Sequence, residues 1–281
     1  VSCLFIFLLI GFSIQEDIDN IDSAKGDQLL LELALKADNI AHNFAVERGL
    51  SAGFIAGGAA SQFTKVTAQR KKADNALQAL KNADMNTLSG EAILLRTRLE
   101  NYIANRTAIR QQVDNRNGKE AFNFYSEVNL MALDLVKAIT VSIDDSQTRA
   151  QFMQVYFYSH LKEHLGQVRG KLNGILSVKK FNSTQAQEVS SYIANIRRFK
   201  LLLSDSSEQS RFFKDPSIAK YNDYINNTIN DVFLNQKPTS SWPEASAWFA
   251  TTTQYINQIK QRATEFTTEI NTQKHATINS Y

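Results

Sequence analysis

Two arginines, Arg48 and Arg169, stand in the same short pattern at two distant places in the chain. Each begins the pattern R-G-x-x-x-G, which is followed by two apolar residues, and the two copies lie 121 residues apart. An arginine stays charged in a protein, and its planar fork of donors suits planar oxyanions. Because two guanidinium groups brought together require an anion, the repeated pattern predicts one small-anion site built from both copies.

Glycines at four-residue spacing surround the two arginines. They form two triplets among the 11 glycines of the chain, namely Gly49, Gly53 and Gly57, and Gly166, Gly170 and Gly174. A glycine inside a helix costs roughly 0.8–1.0 kcal/mol relative to alanine, but glycines four residues apart form a ridge that another helix can approach closely. We therefore expect the two helices to cross at these ridges, with Arg48 and Arg169 binding the anion. We expect Gly49, Ser51 and Gly170 to border the pocket.

Two other interpretations of the same residues require different chemistry. Each arginine could instead pair with a carboxylate such as Glu47 or Glu163, although Glu47 has no acidic counterpart at Val168 in the second copy. The segment 160–164 also reads H-x-x-E-H, a zinc-peptidase pattern whose two histidines share one helix face. Since the downstream acidic ligand and the fold context of such enzymes are missing, we expect no metal, no cofactor and no enzymatic activity.

The spacing of apolar residues predicts an all-α fold. All three prolines lie in the late segment 216–243, which favours long helices before it. Apolar residues three and four positions apart, separated by short breaks, predict eight helices, at about 15–55, 62–83, 91–114, 119–142, 146–178, 182–213, 216–233 and 243–271. Eight helices with short loops form two antiparallel bundles or one elongated bundle.

Composition and the first residues restrict the class of protein. The chain has 31 Lys and Arg against 28 Asp and Glu, which argues against a nucleic-acid-binding protein. The single Cys3 excludes an internal disulfide framework. Residues 1–14 are apolar and uncharged but too few for a span of about 20 residues. We interpret them as the C-terminal part of a transmembrane helix that starts upstream; a signal-peptide core or a buried helix is the alternative.

Residues 42–77 resemble the opening motif of the nitrate- and nitrite-sensing (NIT) domain. That motif reads E-R-G-x-S, a run of small residues and Q-R-x-x-x-D, which appear here at 47–51 and 69–74. Residues 109–136 resemble the middle helix pair of the family, 162–170 its K-E-x-x-G-x-E-R-A block and 247–259 its closing W-F-x-x-x-T helix. Val168 and Gly170 depart from the usual Glu and Ala of the second block. The resemblance covers roughly residues 30–270.

This resemblance implies two antiparallel four-helix bundles side by side, which we place at 15–145 and 146–281. It implies nitrate or nitrite bound between the bundles, with the two anion-binding arginines of the family at Arg48 and Arg169. With the membrane helix at 1–14, we expect the periplasmic sensor domain of an inner-membrane chemotaxis receptor or sensor kinase, present as a homodimer. The alternative is a helical interaction or dimerisation module without a small-molecule ligand.

Overall fold

The computed structural model describes residues 2–118, 120–204, 207–235 and 237–279. Within these residues the chain contains helices and no strand, which confirms the all-α class. The α-helices are α1 Ser2–Gly57, α2 Ala60–Lys81, α3 Gly90–Ile103, α4 Arg106–Asp114, α5 Ala121–Val141, α6 Ser146–Val178, α7 Ser183–Ser204, α8 Ser207–Lys214, α9 Pro216–Ile229 and α10 Ala245–Asn279. A π-helical turn, Asn230–Leu234, follows α9, and a 3-10 turn, Thr239–Ser241, precedes α10.

The helix boundaries follow local capping chemistry. Asp145 precedes α6, and its carboxylate accepts a hydrogen bond from the Thr148 N–H at 2.9 Å, as expected for an N-cap. Pro216 occupies the first turn of α9, where a proline loses no helical hydrogen bond. One of the eight predicted helices is divided in the structure: the third becomes α3 and α4, with a break at 104–105. The predicted sixth helix corresponds to α7 and α8, which lie on either side of residues 205–206, outside the described residues.

The helices pack in two groups that meet along the long helices. In the first group α1 packs against α2 and α5, and α3 and α4 pack against α5. In the second group α6 packs against α7 and α10, while α8 and α9 connect α7 to α10. Contacts of α6 with α1 and α5, and of α10 with α1, join the groups. Large side chains fill both cores, with Phe44 and Tyr125 buried in the first and Tyr158 and Trp248 in the second. The boundary at residue 145 stays a prediction.

A buried carboxylate ties three elements together at the connection between α5 and α6. Asp27 of α1 is 2% exposed, and it accepts the N–H groups of Asp144 and Asp145 at 2.7 and 3.0 Å. The ammonium group of Lys274 in α10 donates to the same carboxylate at 3.1 Å. The connection between α5 and α6 is therefore fixed to both the first and the last helix.

The predicted membrane segment at 1–14 coincides with the start of α1. The backbone of α1 is continuous from Ser2 to Gly57. The side chains of residues 1–14 lie outside the described part of the molecule. Among the described residues, no helix combines the length and the apolar character that a membrane crossing requires.

Candidate functional site

A cavity of about 370 Å³ lies between α1, α6 and α10, and Arg48 and Arg169 both line it. The two arginines therefore line one cavity, as the repeated sequence pattern predicts. Their role in binding stays a prediction. The polar, glycine and aromatic lining residues are His42, Arg48 and Gly49 of α1, Lys162, Glu163, Gly166 and Arg169 of α6, and Phe249, Thr253 and Lys260 of α10, with Asp38, Ser159 and Asn257 beside them.

Two glycines make room for the arginines in a reciprocal way. A Cβ atom at Gly49 would lie 3.2 Å from Nη2 of Arg169, and one at Gly166 would lie 3.0 Å from Nη2 of Arg48. Both distances are too short for an ordinary carbon contact. Each glycine therefore admits the guanidinium group of the opposite helix. At Gly53 a Cβ atom would meet no atom within 4 Å, so the close approach does not extend along the whole ridge.

Ser51 and Gly170, which we expected at the border of the pocket, do not line this cavity. Ser51 is 1% exposed within the protein. A Cβ atom at Gly170 would lie 3.2 Å from the ring of Phe122, so this glycine accommodates an aromatic side chain of α5. Gly166 occupies the border instead. Helical spacing could have predicted this position of Gly166, because residues three apart share a helix face and Gly166 precedes Arg169 by three.

Arg48 is already paired inside the protein. Its Nη1 donates to Glu163 Oε1 at 2.5 Å and to Ser126 Oγ at 2.8 Å, and its Nη2 donates to Glu163 Oε2 at 3.2 Å. The side chains of Arg48 and Glu163 are only 4% and 3% exposed. Asn129 Nδ2 donates to the same carboxylate at 2.8 Å. One of the two carboxylate partners considered from the sequence, Glu163, is therefore the partner of Arg48.

Arg169 has a different environment. Its Nη1 donates to Thr253 Oγ1 at 2.9 Å, and its Cζ lies 4.5 Å from the centroid of the Phe249 ring. Within the described residues its buried Nε has no hydrogen-bond partner, and no carboxylate forms an ion pair with it. Burial and the charge of Arg48 lower the pKa of Arg169 to about 10, although Glu163 acts in the opposite direction. The group stays protonated at neutral pH and lacks a counter-ion of its own.

A second set of charges lies elsewhere on the cavity wall. Lys260 Nζ lies 3.0 Å from His42 Nε2, and Lys162 Nζ lies 3.8 Å from an oxygen of Asp38. Burial, Lys162 and Lys260 lower the pKa of His42 to about 4, so the imidazole is neutral at pH 7 and accepts a hydrogen bond from the ammonium group. Lys260 is exposed to solvent and lines the same cavity as the two arginines.

The other acidic residues of the opening motif hold the first group of helices together. Glu47 is fully buried and accepts hydrogen bonds from Nε and Nη2 of Arg110 at 2.8 and 2.9 Å. It also accepts a hydrogen bond from the hydroxyl group of Tyr125 at 2.9 Å. Arg110 also donates to both oxygens of Asp74 at 2.9 Å, and its hydrogen bonds contribute to a lowered pKa of that carboxyl group. Arg70 pairs with Asp114 at 2.7 Å. Sequence reasoning missed Arg110, since its partners lie far away along the chain.

The H-x-x-E-H segment is involved in packing. Glu163 binds Arg48, and His164 Nδ1 lies 2.9 Å from Gln167 Oε1. The ring of His160 stacks on Phe199 at a centroid distance of 4.5 Å, and burial lowers the pKa of His160 to about 3. Within the described part of the chain, no group of three or more His, Cys, Asp and Glu side chains could hold a metal ion.

Comparisons with known proteins agree with the all-α architecture. A family model described as nitrate and nitrite sensing matches residues 39–271. No curated protein sequence matches the chain. Among solved structures, the chain is similar to the NasR transcription antiterminator, with a TM-score of 0.80 and 18% sequence identity over 97% of this chain and 75% of that chain. At this identity the likeness concerns the fold.

Proposed function

Because the chain belongs to the nitrate- and nitrite-sensing family, we propose that it senses nitrate or nitrite in the cavity between α1, α6 and α10. The observation that carries this proposal is Arg169, a guanidinium group in the cavity wall without a carboxylate partner among the described residues. A buried charge without a counter-ion is unfavourable. A bound anion would supply the missing charge and a hydrogen-bond acceptor for the free Nε.

The proposed site suits a small planar anion. The guanidinium fork of Arg169 donates in one plane, which matches the oxygens of nitrate or nitrite. Arg48 adds a second positive charge from the other motif helix, and Gly49 and Gly166 leave the space that both forks occupy. Phe249 and Thr253 hold Arg169 from α10, which orients its donors. Ser51 and Gly170 then act indirectly, through the packing of α1 and α6.

The same contacts suggest how binding is transmitted. An anion held by Arg48 and Arg169 connects α1 with α6, and through Thr253 it connects both with α10. The first and last helices also meet at the ion pair of Asp27 with Lys274. A ligand that favours one placement of the two helix groups would therefore shift the ends of α1 and α10 relative to each other.

We further propose that the domain is the periplasmic, dimeric sensor of an inner-membrane receptor such as a chemoreceptor or a sensor kinase. The apolar sequence of residues 1–14 and the continuous backbone of α1 support this placement. The test compares residues 1–281 with residues 20–281 for partition into phospholipid vesicles. Equal partition of the two proteins would refute the membrane attachment without affecting the ligand proposal.

Calorimetric titration with sodium nitrate, nitrite and sulfate tests the ligand proposal. Nitrate or nitrite should bind with measurable heat, while sulfate should bind poorly because a tetrahedral dianion fits a planar slot badly. Arg169→Ala should abolish binding, whereas Arg70→Ala, which removes a pair with Asp114 outside the cavity, should not. Absence of nitrate and nitrite binding would leave the alternative, an interaction or dimerisation module without a small-molecule ligand.

A further inference from the structure

We propose that Glu163 determines the charge selectivity of the anion site and restricts it to monovalent anions. This inference rests on the proposed function, because it concerns the same cavity. The carboxylate lines the cavity together with the two arginines, and it is almost completely buried. Its role in binding is separate from its role as the partner of Arg48, since its charge acts on any ion that enters the cavity.

The inner part of the cavity carries a net charge of one. Arg48 and Arg169 contribute two positive charges, and Glu163 contributes one negative charge. The remaining charged lining residues affect this balance less. Lys162 and Asp38 are close enough to compensate each other, with 3.8 Å between their charged atoms, and Lys260 is exposed to solvent. Water and salt screen exposed charges much more than buried ones.

A net charge of one matches a monovalent anion. Nitrate or nitrite neutralises the inner charges completely, whereas a dianion leaves one negative charge in excess. The repulsion between Glu163 and a dianion is also twice its repulsion of a monoanion at the same distance. In addition, Glu163 accepts hydrogen bonds from both Nη atoms of Arg48, so part of that fork is not available to a ligand with more acceptor oxygens.

The surroundings of Glu163 allow its charge to be removed with little change in shape. In Glu163→Gln the remaining carbonyl oxygen can still accept from Arg48. After a half-turn of the Asn129 amide, the new amide group can donate to Asn129 Oδ1, which is buried and has no hydrogen-bond partner among the described residues. Asn129 Nδ2 already lies 2.8 Å from the carboxylate, so both amides are within reach of each other.

The experiment measures nitrate and sulfate affinities of the full chain by calorimetry at constant ionic strength. In Glu163→Gln the ratio of sulfate to nitrate affinity should rise by about tenfold or more, because the net inner charge becomes two. The matched control is Glu188→Gln, which removes the same charge from a pair with Lys171 outside the cavity. This control should leave the ratio unchanged.

A double variant separates charge from geometry. Arg48→Gln with Glu163→Gln removes the ion pair as a unit and restores a net charge of one, so its affinity ratio should match that of the wild type. An unchanged ratio in a folded Glu163→Gln variant would overturn the proposal, as would an equal rise in the double variant. If the wild-type protein binds neither nitrate nor nitrite, the proposed function itself fails.

A variant that adds a negative charge to the cavity, instead of removing one, tests the proposal if Glu163→Gln does not fold. Thr253→Asp introduces a carboxylate beside Arg169, at a position on α10 that already accepts a hydrogen bond from Nη1. The net inner charge then becomes zero, and nitrate affinity should fall by about tenfold or more. Unchanged nitrate affinity in this variant would overturn the dependence on net charge.

Discussion

Arg48 and Arg169 should differ in their effect on stability when each is replaced by alanine. Arg48→Ala leaves the Glu163 carboxylate buried, with Asn129 as its remaining partner. Breaking a buried pair by removing one partner destabilises a protein by about 3–5 kcal/mol. Arg48→Ala should therefore lower the free energy of unfolding by an amount in this range, provided the variant folds.

Arg169→Ala should be close to neutral for stability. Burial and the charge of Arg48 lower the pKa of Arg169 to about 10, which corresponds to a cost on the order of 3 kcal/mol for keeping the charge. The substitution removes this cost together with the contact to Phe249, which is worth about 0.5–2 kcal/mol, and one hydrogen bond to Thr253, worth about 1 kcal/mol. Because these contributions largely cancel, the net change should stay within about 1.5 kcal/mol.

Nitrate binding should nevertheless be lost in Arg169→Ala. Removing a charged partner from a desolvated contact costs about 2–5 kcal/mol, which corresponds to roughly thirtyfold or more in affinity. At a nitrate concentration of 100 times Kd, the ligand should stabilise the wild-type protein by about 2.7 kcal/mol. At the same nitrate concentration this stabilisation should fall to about 0.9 kcal/mol or less in Arg169→Ala and persist in Arg70→Ala, whose pair with Asp114 lies outside the cavity.

Urea unfolding followed by circular dichroism, with and without nitrate, measures both effects in one series. Equal destabilisation by Arg48→Ala and Arg169→Ala would mean that Arg169 has a counter-charge within the protein. Retained nitrate stabilisation in Arg169→Ala would show that the ligand binds elsewhere. Either result would refute the assignment of Arg169 as the uncompensated cation of the site.

Two further predictions concern groups outside the inner site. Asp27→Asn should destabilise the chain by about 3–5 kcal/mol, because it leaves Lys274 buried without its counter-charge; Glu188→Gln, at a more exposed pair, should cost less than about 1 kcal/mol in the same urea assay. The folded protein holds His42 and His160 neutral down to about pH 4 and 3, while the unfolded chain protonates them below about 6.5. Stability should therefore fall as pH decreases from 6.5 to 4, by about 1.4 kcal/mol per pH unit for each histidine. His160→Phe, which keeps the stacking, should reduce this slope by about 1.4 kcal/mol per pH unit, the contribution of one proton. An unchanged slope would contradict the lowered pKa of His160.

The fold was accessible from the sequence because helical periodicity and proline placement are local signals. The cap at Asp145 and the start of α9 at Pro216 lie where those residue types predict them. The break between α3 and α4 could not be predicted from the sequence, since residues 104–105 contain neither glycine nor proline. Arg106, directly after this break, reaches Asp74 of α2 at 2.9 Å, so the change of direction accompanies a contact between distant parts of the chain.

The cavity could be anticipated, but the pairing inside it could not. The repeated R-G-x-x-x-G pattern indicated that Arg48 and Arg169 come together, and this signal can be read from residue spacing alone. The partner of Arg48 depends on which helix packs against its face. Glu47 is adjacent in sequence, but consecutive helical residues do not face the same way. It therefore binds Arg110 of α4, while Glu163 of α6 binds Arg48.

The repeat brings the arginines together, and its imperfection explains why one of them stays uncompensated. Glu163 follows His42 by 121 residues, the same separation that relates Arg169 to Arg48. The position that supplies the partner of Arg48 in the second copy thus holds an imidazole in the first copy, and this imidazole is neutral and contacts Lys260. With a glutamate in both copies, two internal ion pairs would leave the inner cavity without net charge, and an anion would have to displace a carboxylate. One glutamate leaves a single positive charge, which is the amount that one nitrate or nitrite ion neutralises.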